Sequence, residues 1–298
     1  MTVSLIAFLD VVIGGVFHAA VLFLVAAGLQ LVFGVQKIVN LACGSFYALG
    51  AYFGISAANW ATAQGVPVSL FLPVLLASGL LLGVVVGPLI EALLRTVYDR
   101  DEAFQLLLTF ALVLMFQDVL RFFWGANPQQ LGNLVMEYGK ITVGTVQVPT
   151  YNVLVILASI AIAAGIGLFL QRTRYGRILR ATAENREMSQ ALGVNTRWMN
   201  TSVFTLGTVL GTVGGALVVP TAAASLDMPV ELVVEAFAVV VIGGLGSMRG
   251  ALVGALIVGL MRAAAISWYA ELEMLAIYLV VIMVLIVRPA GLHGKSIE

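Results

Sequence analysis

Glu231 and Glu235 stand one helical turn apart in an otherwise apolar run, MPVELVVEAFAVVVIGG (228–244). Positions four apart share a helix face. An ionisable side chain inside such a run either lines a polar pathway or bonds a partner helix. Glu235 is the deeper of the two and has no basic neighbour in its own run. A second polar group lies in NLACGSFYALGAYFG (40–54), where Asn40, Cys43, Gly44, Ser45 and Tyr47 would suit the wall of a path for a small solute. Capping and packing account for them equally well. Gly243 and Gly244, at the end of the glutamate run, join this path set. Asp118 and Arg121, three apart, are expected to form a local ion pair, and Gln30, Gln105 and Gln117 to hydrogen-bond between helices.

Hydrolytic, redox and metal chemistry find little support. Cys43 is the single cysteine, and with His18 and His293 it makes no metal-ligand spacing. The run Gly243-Gly244-Leu245-Gly246-Ser247 is not followed by the Gly-Lys-Ser/Thr of a phosphate-binding loop, so the chain is expected not to hydrolyse ATP itself. The acids are scattered and suggest no catalytic pair. The chain is expected not to be an enzyme and to carry no cofactor and no metal. A net charge of zero argues against nucleic acid as a partner.

These residues must be held by elements that live in lipid. Of 298 residues, 61% are hydrophobic and 10% charged, where a soluble domain carries about 25% charge. The class is an all-α polytopic membrane protein, a single domain over 1–298. A helix needs about 20 apolar residues to cross the hydrocarbon core. Candidate spans lie near 11–35, 41–58, 68–90, 103–124, 151–171, 201–220, 231–246, 250–269 and 272–288. The second and seventh are short and glycine-interrupted, so eight or nine crossings are expected. The N-terminus lacks a basic flank and contains Asp10, which makes it a poor secretory signal.

Lys and Arg in short loops set orientation. The loop 172–199 carries Arg172, Arg174, Arg177, Arg180, Arg186 and Arg197, six of the 15 basic residues. It is expected in the cytoplasm, with Lys37, Arg95, Arg100, Arg249 and the tail bearing Arg288 and Lys295. Within it a helix is expected from Arg177 to Leu192, with an Arg180–Glu184 pair and an apolar stripe of Ala181, Met188 and Leu192. Gly193 would end it in the left-handed conformation, and Asn195 or Thr196 would cap the next helix. The helix would either rest on lipid headgroups or dock a partner.

Three glycine series recur at four-residue spacing: Gly79, Gly83, Gly87; Gly207, Gly211, Gly215; and Gly246, Gly250, Gly254. In lipid such faces let backbones approach closely, within the bundle or between subunits. Thr205, Thr208 and Thr212 beside the second series could bond across helices or back to their own i−4 carbonyls. Gly44-Ser45 with Gly50-Ala51, and Gly246-Ser247 with Gly250-Ala251, hint at a weak internal repeat over about 11–124 and 201–288, a feature of transporters.

Three stretches resemble the permease subunits of ATP-binding-cassette importers of the branched-chain amino acid type: GLQLVFGVQKIVNLACGSFYALGAY (28–52), GRILRATAENREMSQALGVNTRWMN (176–200) and AFAVVVIGGLGSMRGALVGALIVG (236–259). The resemblance implies a bacterial-type inner-membrane protein working with a second permease, alike or different, two cytoplasmic ATPase subunits that bind the ATP, and an external solute-binding protein. It implies a coupling helix that docks on the ATPase through Arg177, Arg180, Ala181, Glu184, Asn185, Met188, Ala191, Leu192 and Gly193. The match to the general importer loop, with its Glu-Ala-Ala start and later Gly, is partial. The family often has Ala-His-Gly where this chain has Ala42-Cys43-Gly44. Cargo in such permeases is a branched-chain amino acid, urea or a short amide. The rival readings are an ion-gradient-driven secondary transporter and a membrane scaffold without cargo.

Overall fold

Helix boundaries follow local chemistry along the chain. The computed structural model describes residues 2–98, 100–132, 137–143, 146–269, 272–288 and 291–292. The described residues form eleven α-helices: α1 (Thr2–Gln36), α2 (Cys43–Ala63), α3 (Phe71–Leu94), α4 (Glu102–Trp124), α5 (Thr150–Arg172), α6 (Arg174–Glu184), α7 (Arg186–Ala191), α8 (Thr196–Val218), α9 (Met228–Gly243), α10 (Met248–Trp268) and α11 (Glu273–Val287). A two-stranded antiparallel hairpin, β1 (Lys140–Val143) and β2 (Val146–Pro149), precedes α5. Side-chain oxygens take up free N–H groups at several starts. Asn195 Oδ1 accepts from the Trp198 N–H at 3.1 Å, and Ser247 Oγ accepts from the Gly250 N–H at 3.1 Å. Gly244 closes α9 at φ +95°.

A helix stands at each of the nine expected spans. Six are long and apolar enough to cross a membrane: those of α1, α3, α4, α5, α8 and α10. The others differ in kind. α2 has 21 residues but carries Ser45, Tyr47, Ser56 and Asn59. α9 and α11 have 16 and 15 residues, about 22–24 Å at 1.5 Å per residue, short of a hydrocarbon core of about 30 Å.

α8 is the hub, and glycines set how close its neighbours come. A methyl group built on Gly79 would lie 2.8 Å from the Val213 Cα, on Gly83 2.5 Å from the Val209 Cα, and on Gly87 2.7 Å from the Thr205 Cα, so α3 runs antiparallel to α8 backbone against backbone. Gly207 faces Gly28 of α1, Gly211 faces Phe46 of α2, and Gly215 rests on the Tyr47 carbonyl. Gly250 and Gly254 bring α10 onto Gly243 and Val239 of α9. Gly246 stands apart from its series. It precedes α10 at φ +81° with open space around it, and it is a turn residue whose N–H donates to Gln30 Oε1.

The threonines divide. Thr205 and Thr208 donate back to Thr201 O and Phe204 O, while Thr212 Oγ1 reaches across to Gly79 O at 2.7 Å. Gln30 Nε2 bonds Gly244 O at 2.9 Å and Gln117 Nε2 bonds Leu226 O at 3.2 Å, both between elements. Gln105 instead bonds the nearby Arg100 carbonyl. Bonds from Gln36 to Asn200 and from Arg95 to Thr201 mark the bundle end that carries α6 and α7. The opposite end has the hairpin, the Tyr151–Leu217 bond and the Gln129–Ala224 bridge. Leu81, Val85 and Leu89 of α3 and Leu279, Met283 and Ile286 of α11 turn outward, and nothing but lipid or another apolar surface suits them.

Candidate functional site

At the α6–α7 end the chain presents one continuous exposed surface. Thr173 ends α5 in extended backbone, and its hydroxyl accepts from the Gly176 N–H at 2.9 Å to start α6. Gly176 lies so tightly on Leu170 that a Cβ would fall 2.6 Å from the Leu170 Cα. The single helix expected over Arg177–Leu192 is two helices. Asn185 takes extended backbone, φ −146°, and its Oδ1 accepts from the Met188 N–H at 2.9 Å to cap α7. Asparagine competes with helix for backbone N–H groups, which places the break. Arg180 and Glu184 form no ion pair, and neither do Asp118 and Arg121. Gly193 follows α7 at φ +84°, and Asn195 is the residue that caps α8.

Leu179, Thr182 and Ser189 bury the inner face of this unit. Arg177, Arg180, Ala181, Glu184, Asn185, Met188, Ala191, Leu192 and Gly193 are all exposed. Leu192 is 78% exposed and Met188 59%, beside exposed Trp198 and Ile178. All six arginines of the loop are exposed around them. Exposed apolar side chains thus share a capped two-helix unit with exposed arginines and with Glu184 and Glu187, a mixture of the kind found at protein interfaces.

Inside the bundle, charge gathers at two places. Glu91 of α3 is fully buried. It pairs with Arg95 one turn on, accepts from the Thr201 hydroxyl at 2.8 Å and from Tyr98 at 3.3 Å. Burial, and then the charge of Glu91, push the Tyr98 phenol above its ordinary range, so it stays a donor. This cluster ties α3 to the second turn of α8, just beyond the arginine loop.

The second cluster centres on Glu235, midway along α9 and 3% exposed. His18 Nε2 of α1 lies 2.8 Å from Glu235 Oε2, and Arg262 Nη1 of α10 lies 3.3 Å from Glu235 Oε1. Arg262 Nε bonds Glu273 of α11, and the guanidinium lies against the His18 ring. Glu235 thus joins α1, α9 and α10, and Arg262 adds α11 through Glu273. Beside the cluster a cavity of about 600 Å³ opens at the end opposite α6–α7, lined by residues that include Asp10, Phe17, His18, Tyr47, Asn152, Met228 and Arg262.

The residues singled out for a path separate in space. Tyr47 lines this cavity, and Glu235 anchors its charged wall. Asn40, Cys43, Gly44 and Ser45 are buried at the start of α2, where Asn40 Oδ1 accepts from the Ala42 N–H at 3.0 Å and Gly44 lies on the Pro229 carbonyl. Gly243 packs on Gly250, and the Gly244 carbonyl accepts from Gln30. His18, Arg262, Glu91 and Arg95 were not legible as a charged framework. His18 and Arg262 nevertheless carry the signal that marked Glu235, an ionisable side chain in an apolar span. His293 and Lys295 lie outside the described residues.

Residues 7–287 match the model of the "Branched-chain amino acid transport system / permease component" family. The chain is 24% identical to the high-affinity branched-chain amino acid transport system permease protein BraD of Pseudomonas aeruginosa, over 97% of this chain and 96% of that protein. It is 25% identical to the corresponding permease protein LivH of Escherichia coli, over 99% and 98%. It is also 26% identical to the ribose import permease protein RbsC of Haemophilus influenzae, over 80% of this chain and 72% of that one.

Proposed function

The chain belongs to the family of branched-chain amino acid transport system permease components, and on that premise we propose that it is the membrane subunit of an ATP-driven importer for branched-chain amino acids or a related small polar solute. It pairs with a second permease, takes cargo from an external binding protein and is driven by two cytoplasmic ATPase subunits that bind the ATP. The arginine-rich end faces the cytoplasm, as the distribution of basic residues favours. The C-terminal tail lies on the same side, in a bacterial-type inner membrane.

The observation that carries this reading is the exposed α6–α7 unit. An ATPase that closes on ATP can move the bundle only through a surface it grips, and the two states must differ in their affinity for ATP. Thr173, Asn185 and Asn195 cap the helices here, so the unit moves as a solid piece. Its push enters α5 and α8 directly, and α3 through the Glu91–Arg95–Thr201 cluster. The residues Asn40, Cys43, Gly44, Ser45, Tyr47, Glu235, Gly243 and Gly244 lie on or next to α2 and α9, which pack on each other, and on this reading they flank the solute route.

The test is uptake by proteoliposomes containing the assembled transporter. Glu184→Arg, Met188→Glu and Leu192→Glu each reverse or charge one exposed contact. Each should cut solute uptake at least tenfold while the permease still inserts, and ATP hydrolysis should lose its dependence on loaded binding protein. Unchanged uptake in all three would sink the docking role. Uptake driven by an imposed ion gradient, with no ATPase present, would favour a secondary transporter. The ribose-permease relative makes a sugar the second cargo to assay beside L-leucine.

A further inference from the structure

The cavity beside Glu235 is built for one kind of molecule. Its volume of about 600 Å³ sits within the roughly 300–1,000 Å³ of small-molecule sites. Much of the wall is apolar, and Phe17, Val218, Met228 and Ile266 present only hydrocarbon or thioether to a bound molecule. Polar groups share the same wall, Arg262, Asn152 and Tyr47 among them. Arg262 uses Nε on Glu273 and Nη1 on Glu235 and His18. Its Nη2 has no hydrogen-bond partner among the described residues. Asn152 Oδ1 is buried without a partner, and the Tyr47 hydroxyl makes no hydrogen bond among the described residues.

A free guanidinium arm calls for a carboxylate. An unmet amide oxygen calls for a cationic or neutral donor, because a buried acceptor left bare is costly. The two carboxylates behind Arg262 and the exposed Asp10 make the site hostile to a simple anion. An α-amino acid zwitterion with an apolar side chain meets these demands.

Resting on the importer reading above, we propose that this cavity is a transient solute site within the permease. The carboxylate of an apolar amino acid bonds Arg262 Nη2, its ammonium donates to Asn152 Oδ1 and the Tyr47 hydroxyl, and its side chain lies against Phe17, Val218 and Met228. Glu235, His18 and Glu273 are positioning residues that hold the guanidinium in place. Solute discrimination therefore continues inside the membrane after the binding protein has released its cargo.

The site is open to single-cysteine protection in the assembled transporter. Cys43, the one native thiol, is 6% exposed and gives little background. Ser267→Cys places a thiol in the cavity wall. L-leucine should slow maleimide labelling about tenfold at about nine times its dissociation constant, by occupancy alone, whereas ribose and 4-methylpentanoate, which lacks the ammonium, should leave it unchanged. Arg262→Gln should abolish protection and Arg262→Lys should keep part of it. Asp10→Asn breaks no ion pair among the described residues and provides a variant that folds; it should let 4-methylpentanoate begin to protect. Equal protection by ribose, protection that survives Arg262→Gln, or a Ser267→Cys thiol that never labels would each overturn the proposal. Loss of protection alongside intact ATP-driven leucine uptake would remove this site and leave the importer standing. Absence of ATP-driven uptake of any amino acid would remove the importer reading itself.

Discussion

Gly215 and Glu235 are the residues on which most depends, for opposite reasons. Gly215 matters for what it lacks: a side chain there would enter the Tyr47 carbonyl of α2. Gly215→Val should lower the unfolding temperature of the detergent-solubilised protein, at a cost of about 1–3 kcal/mol for overpacking. Gly167→Val is the control, since open space surrounds that position, and it should leave stability nearly unchanged. Glu235 matters for what it holds together, three partners from three helices if Glu273 is counted through Arg262. Its counterpart Glu91 allows a cleaner experiment, away from the solute site. Arg95→Leu leaves a fully buried carboxylate without its cation, and should destabilise by about 1–3 kcal/mol. The double variant Glu91→Leu with Arg95→Leu should recover part of that loss, because removing both charges is cheaper than stranding one. Thermal unfolding of Glu91→Leu, Arg95→Leu and the double variant measures the coupling.

At the scale of elements, α6 and α7 show how a short polar loop becomes rigid. Each start is capped by a side chain, and the end is a left-handed glycine. Gly193 has φ +84°, a conformation that costs a residue with a Cβ about 1–2 kcal/mol. Gly193→Val should therefore loosen the join between α7 and α8 without disturbing the bundle. The expected outcome is near-normal expression and unfolding temperature with a several-fold lower ratio of solute moved to ATP hydrolysed. The helix expected over Arg177–Leu192 is split because Asn185 supplies a side-chain acceptor for the Met188 N–H, a local signal that the apolar stripe masked. The stripe itself could not reveal that Ala181, Met188 and Leu192 all face outward. Periodicity tells which residues share a face, and only the packing of α6 on α5 tells which face is covered.

The molecule as a whole has two unlike ends joined by a bundle whose interior charges are matched. Orientation is testable directly. Gln190→Cys at the arginine-rich end should react with a membrane-impermeant maleimide only in inverted vesicles, and Gln147→Cys in the hairpin only in intact cells; both positions are exposed. The reverse pattern would invert the topology. Composition, continuous apolar runs and loop arginines were enough to establish a helical membrane bundle, because lipid leaves a backbone few other options. Glycine spacing identified the close-packed faces for the same kind of reason: the spacing is local and so is its consequence. Gly246 fell outside that logic, since position in a series does not reveal positive φ. The pairing of Glu235 with His18 and Arg262 was beyond reach of the chain read in order. Those residues are separated by 217 and 27 positions (235 − 18 and 262 − 235), and nothing local binds them. Only the packing of α1, α9 and α10 around one carboxylate turned three isolated ionisable groups into a charged wall, and left an apolar cavity with an open guanidinium arm beside it.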